Sequence, residues 1–258
     1  MFKSIFLALL ILVNSSTIVW AADTSWWGGE KDFSLVDLSG AVTDNLKELY
    51  TEKLQALLAE YDPALKILQK NWDKKTVEGI LEGRVPVQDA TINAALAEKF
   101  DGKGRVKDFS ITSRKDGRLV LHLDVKKIGK LELTGTIDEF VHTKDKSYMV
   151  FTVEKKKLVD HRLLSWFFSR LSLSLMEKFA GNINPFTDLP MGIYDNTITV
   201  DFTQRLKNSD LAQTSVLGYN LLDSLRIDGA VPHKGYVEFK TNLNVPDKVK
   251  TMLLSILR

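Results

Sequence analysis

The chain has 258 residues, 44% of them hydrophobic and 26% charged, enough for one large domain or two small ones with a sizeable core. Lys plus Arg is 35 against 33 for Asp plus Glu, a formal net charge of +2, which gives no reason to expect a nucleic-acid partner. The absence of cysteine excludes a disulfide framework, thiol chemistry, an iron–sulfur cluster and an acylated N-terminal cysteine.

The chain opens like a secretory signal. Lys3 supplies a positive start, SIFLALLILV is an apolar run too short to span a bilayer comfortably, and VWA puts Val19 and Ala21 at the small-residue positions before a cut. Cleavage is expected after Ala21, with Ala22 as the alternative and an uncleaved anchor as the competing reading. The missing cysteines, and the lack of an Asn-x-Ser/Thr sequon after Asn14, favour a bacterial periplasmic protein. Three segments are expected: residues 1–21 as signal peptide, 22–88 as an N-terminal helical region, and 89–258 as an α+β domain.

Residues 23–39 look irregular, with Trp26 and Trp27 as exposed or docking side chains. Over residues 43–61, Leu46, Leu49, Tyr50, Lys53, Leu54, Leu57, Leu58 and Tyr61 recur at helical spacing and form one stripe, capped by Thr43 or Asp44. Pro63 ends that helix, and a shorter one is expected to run to about Trp72. DATINAALAEKFDGKG predicts another helix, with Asp89 or Thr91 at its start, Ile92, Ala95, Leu96 and Phe100 inside, and Asp101-Gly102 at its end.

The period then changes to two. Leu119, Leu121, Leu123 and Val125 alternate with Val120, His122, Asp124 and Lys126. Leu131, Leu133 and Ile137 alternate in the same way, and Met149, Phe151 and Val153 share a side. Each strand has one wet and one dry face, as in an antiparallel sheet covered on one side. After an apolar stretch at 161–181, GIYDNTITVDFTQ predicts a strand with Tyr194, Asn196, Ile198, Val200 and Phe202 on one face. Two more strands follow around a turn at Pro232-His233-Lys234-Gly235, with Val237, Phe239, Thr241 and Leu243 inward. DKVKTMLLSIL closes the chain as a short helix. This order predicts α+β with a long antiparallel sheet and added N-terminal helices.

The stretch HRLLSWFFSRLSLSLMEKFAG, residues 161–181, can be a membrane span, a core helix, a dimer face or a ligand wall. On a helical wheel Leu163, Leu164, Phe167, Phe168, Leu171, Leu175 and Phe179 fall in one wide arc, broken only by Lys178. Arg170 and Glu177 lie opposite, beside Trp166 and Leu173, and Ser165, Ser169 and Ser172 lie between. Arg170 near a bilayer centre would cost at least ~2.5–3.5 kcal/mol, which argues against a span. Each large side chain left in water forgoes ~1.5–3 kcal/mol, so the arc must be covered. Either the strands close over it as ordinary core, or a curled sheet leaves an apolar slot along it.

INAALAEKF followed by VKDFSITSRKDGRLVLHLDVKKIGKLELTGTID, then the apolar stretch, NTITVDF and RIDGAVPHKGYVEFKTNL, resembles bacterial relatives of the tubular lipid-binding (BPI-like) superfamily, nearest the phospholipid-binding LmeA-like family. The resemblance spans about residues 91–243 and rests on the order and texture of elements. It implies a long curved sheet wrapped around a long apolar helix, with lipid tails held between them. On that implication Leu164, Phe167, Phe168, Leu171 and Leu175 line the cavity from the helix. Leu121, Leu123, Leu131, Leu133, Phe151, Val200, Phe202, Val237 and Phe239 face them from the strands. The helices of 43–72 depart from the pattern.

No catalytic signature accompanies this. His122, His142, His161 and His233 show no metal-ligand spacing, and neither HExxH, G-x-S-x-G nor a phosphate loop occurs. His122 and Asp124 share a wet strand face, as solvated residues or as a partial catalytic pair. Lys126, Lys127 and Lys130, and Lys155, Lys156, Lys157 and Arg162, are solvated turns or contacts for anionic headgroups, each lysine worth ~1 kcal/mol at a charged membrane. Three function classes stay open: a periplasmic carrier or sensor of a lipid or other apolar ligand, an envelope scaffold docking a partner or second copy through its apolar helices, and a lipid-acting enzyme. The expectation is a non-catalytic protein with no cofactor and no metal. Its partners are expected to be an apolar small molecule and, transiently, an anionic membrane surface; the oligomeric state stays open.

Overall fold

The computed structural model describes residues 73–99, 104–160, 162–181, 183–186, 189–216 and 218–256. The signal-like start, Trp26 and Trp27, the 43–61 stripe, the helix toward Trp72 and Phe100 lie outside the described residues.

Helix α1 (Lys74–Leu81) is capped by Asp73, whose carboxylate accepts from the Thr76 N–H at 2.7 Å. Strand β1 (Arg84–Gln88) and helix α2 (Asp89–Lys99) follow, then β2 (Val106–Ser113), β3 (Leu119–Val125), β4 (Gly129–His142) and β5 (Ser147–Leu158). Helices α3 (Arg162–Phe168) and α4 (Leu173–Ala180) lead to β6 (Met191–Tyr194) and β7 (Thr197–Asp201). Helix α5 (Thr203–Lys207), a 3-10 turn (Asp210–Gln213), the short pair β8 (Ser215–Val216) and β9 (Tyr219–Asn220), and α6 (Leu221–Ser224) precede β10 (Leu225–His233) and β11 (Tyr236–Leu243). Helix α7 is Asp247–Ile256.

The fold is α+β around a nine-stranded antiparallel sheet in the order β1-β11-β10-β4-β5-β7-β6, with β3 also on β4 and β2 on β3. Long β4 holds it together. Its first half pairs with β3, its last residue His142 meets Ile227 of β10, and its other edge carries β5 throughout. Two bulges interrupt the β4–β5 ladder, at Thr134/Gly135 and Ile137/Glu139, and such bulges bend a strand and sharpen its twist. Strand β1 pairs with β11, so the sheet begins ahead of residue 89. Helices α1 and α7 pack on that end, where Val77, Ile80, Val85, Phe239 and Leu253 are buried.

Two elements differ from the sequence expectation. GIYDNTITVDFTQ is a hairpin, with Tyr194 paired to Thr197 across Asp195-Asn196. Asp195 takes the left-handed conformation at φ 50 that such a turn needs. The 161–181 stretch is two short helices, so a long apolar helix wrapped by the sheet is not what the described residues form. Ser169 turns its hydroxyl back onto the Trp166 carbonyl at 2.8 Å. Ser172 leaves the helical region (φ −65, ψ 156) and accepts the Leu175 N–H as the cap of α4. Serine hydroxyls that bond their own backbone stop helices as readily as they start them.

Candidate functional site

Helix α2 sits over the exposed edge of the sheet because two polar side chains fasten it to β2. Asp89 accepts from both the N–H and the hydroxyl of Ser113, at 2.7 and 2.6 Å. Asn93 donates to the Ile111 carbonyl (2.9 Å) and accepts its N–H (2.7 Å), completing the edge strand as a neighbouring strand would. With those bonds made, Ile92 and Leu96 point down onto the sheet.

Below them lies an apolar cavity with about 110 Å³ of empty space. Its floor is the dry face of the curved strands: Leu119, Leu121 and Leu123 of β3, Leu133 and Ile137 of β4, Met149 and Phe151 of β5, and Ile198 and Val200 of β7, with Phe202 beyond. Phe109 and Ile111 of β2 and Val237 of β11 contribute walls. The last wall is the connector between α4 and β6, from which Ile183, Asn184, Pro185, Phe186 and Leu189 reach the cavity, with Met191 at the start of β6. Phe186 stands edge-on to Phe109, ring centroids 5.7 Å apart.

Among the described residues Asn184 is the one polar side chain in this lining, and it bonds within the connector. It donates to the Leu189 carbonyl and accepts the Phe186 N–H, each at 2.9 Å. Lined this way the cavity can exclude water and hold hydrocarbon, and its described residues offer no free donor or acceptor.

Of the residues expected to line a slot, Leu121, Leu123, Leu133, Phe151, Val200, Phe202 and Val237 meet at this cavity. Leu131 and Phe239 are buried elsewhere, Phe239 against Phe140. Phe168 and Leu171 are half-buried against the core, while Phe167 and Leu175 are 51% and 43% exposed. None of these four lines the cavity; the Leu164 side chain lies outside the described ones. Their place is taken by α2 and the connector. The connector did leave a signal in the sequence: Ile183, Phe186 and Leu189 recur every third residue in a stretch broken by Pro185 and Pro190, an apolar strap.

His122 lies on the solvent face with Thr112 (3.0 Å) and, at 3.8 Å, Glu132. The Thr112 hydroxyl is thus beside Nε2 and the Glu132 carboxylate beside Nδ1, on a strand face that the cavity does not use. Among the described residues no group of His, Asp and Glu is placed to hold a metal ion, and no helix is long and apolar enough to cross a membrane. No family model matches the chain, and no curated protein or solved structure is significantly similar to it.

Proposed function

We propose that this is a non-catalytic binding protein for a lipid or other apolar ligand, acting as carrier or sensor in the periplasm after removal of its signal segment. The observation that carries the reading is the cavity under α2, walled by hydrocarbon except for an Asn184 already satisfied by its own loop. Its size sharpens the reading. Pockets for drug-sized molecules run to ~300–1,000 Å³, and a dry cavity of ~150 Å³ takes a benzene ring. About 110 Å³ suits the end of one hydrocarbon chain, and a longer length enters when the 183–191 strap lifts. The kinship with the tubular lipid-binding superfamily belongs to this proposal, in altered form: α2 and the strap close the slot that the resemblance gave to a long wrapped helix.

The test is native mass spectrometry, with solvent extraction, of the protein purified from its own envelope. An apolar ligand released on denaturation is the expected result. Protein that carries none, and that takes up no fluorescent fatty acid added to it, would sink the reading. The scaffold alternative draws on the exposed Trp166, Phe167 and Leu175 and predicts a stable protein complex together with an empty cavity.

A further inference from the structure

A second surface lies outside the cavity. Six large apolar side chains among the described residues are exposed, and five of them, Val159, Trp166, Phe167, Leu175 and Tyr194, fall between residues 159 and 194. The elements that carry them are also joined to one another. The Leu158 N–H donates to Ser165, seating α3 on the end of β5. The Ser174 N–H donates to the Asp195 carbonyl, which brings the Tyr194 hairpin against α4. Asn196 Oδ1 accepts from both Lys156 Nζ and the Leu173 N–H, at 2.7 and 3.1 Å, tying β5, the hairpin and α4 together.

Beside this patch runs a polar groove lined by Arg114, Lys155, Lys157 and Ser169, with Glu132 and Glu154. The β4–β5 bulge leaves Glu154 without a cross-strand partner and sets Lys155 and Lys157 outward while Lys156 turns in. Both carboxylates already have cations: Glu132 has Lys157 at 3.4 Å and Glu154 has Arg118 at 2.5 Å. Arg170 lies 3.8 Å over the Trp166 ring, so positive charge continues from the groove onto the aromatic patch.

We propose that this face docks on an anionic membrane surface, with Trp166 and Phe167 entering the headgroup layer and Arg114, Lys155, Lys157 and Arg170 meeting lipid phosphates. Exposed apolar patches mark interaction sites. Protein interfaces are depleted of lysine, whereas Trp and Tyr flanked by basic residues are the composition of a protein at a bilayer interface. The surface uses none of the cavity's residues, so either proposal can fail alone.

The test is co-sedimentation of the protein, as recovered from its cells, with phosphatidylglycerol or phosphatidylcholine vesicles. Binding is expected to phosphatidylglycerol only, and to weaken with salt. K155Q/K157Q should weaken it roughly thirtyfold, at about 1 kcal/mol per lysine, and W166S/F167S by at least about tenfold. All four positions are exposed, so thermal midpoints should match wild type; a variant that unfolds is replaced by the single W166S or K155Q. Absence of wild-type binding, binding that both variants retain, or self-association without vesicles that W166S/F167S abolishes would each overturn the proposal.

Discussion

At the residue scale, two positions carry more than their chemistry suggests. Buried His142 has its Nε2 3.1 Å from the Leu222 carbonyl, so that nitrogen bears the proton and donates. Nδ1 is then an acceptor, and it is buried with no partner among the described residues, as is Ser147 Oγ across the ladder. Burial lowers the His142 pKa below its ordinary 6.5, outweighing the Leu222 bond and the Asp223 charge that raise it. Lys144, Lys146 and Lys207 line the same small cavity. A neutral ring in the folded chain and a basic one in the unfolded chain make the unfolded state the better proton binder. Stability is therefore full above pH 6.5 and falls as pH drops below it. His142→Gln keeps an N–H for Leu222, and the slope of thermal midpoint against pH just below 6.5 should flatten in it; an unchanged slope would assign the effect elsewhere. Gly135 is the other position. A Cβ there would land on the Thr152 carbonyl oxygen and 3.0 Å from the Phe151 ring, on the cavity floor. Gly135→Ala should cost about 3 kcal/mol in a urea titration, the upper part of the overpacking range.

At the element scale, what the sequence could reveal depended on whether periodicity survives the local chemistry. The alternation in β3, β4, β5 and β11 is strong enough that their dry faces are legible in the sequence, although bulges interrupt β4 and β5. Strand β1 is not legible, because Pro86 reads as a break; it is tolerated on an edge strand whose one neighbour is β11. The Asp195-Asn196 turn lay hidden inside an alternation that continues on both sides of it. On the helical wheel Ser169 and Ser172 fall in a polar stripe, and a wheel records where a hydroxyl points, not which backbone group it bonds. Side-chain bonds to the backbone, at Ser172 and at Asn184, can each be tested. Ser172→Ala removes the α4 cap and should lower stability by about 1 kcal/mol; an unchanged denaturant midpoint would mean that the Asn196 bond to Leu173 suffices. Asn184→Ala removes the side-chain bonds to Leu189 and Phe186 that hold the strap. At about 1 kcal/mol for each bond, exchange of a bound fluorescent fatty acid should quicken by roughly tenfold or more in stopped-flow measurements, and an unchanged rate would place the gate elsewhere.

At the scale of the whole molecule, the question is whether the empty space under α2 exists for a ligand or is slack left by a curved sheet. Close packing makes slack costly, since unfilled apolar space destabilises a core in proportion to its volume. Val200 separates the two. It lines the cavity from β7, is half-buried, and pairs with Met149 on one side and Met191 on the other. Both methionines also line the cavity and can shift their flexible side chains around a larger neighbour. Val200→Phe should therefore place its ring in the empty space. If that space holds the end of a hydrocarbon chain, the denaturant midpoint should stay within about 1 kcal/mol of wild type, below most of the overpacking range. Ligand recovered by extraction should drop at the same time, because ring and chain compete for one volume. The opposite pattern, a midpoint lowered by about 1–3 kcal/mol with undiminished ligand, would mean that Val200 faces filled core and that the chain lies elsewhere. The substitution thus asks of the sheet's curvature what composition could not: whether the bulged β4–β5 ladder bends to close a core or to hold one open.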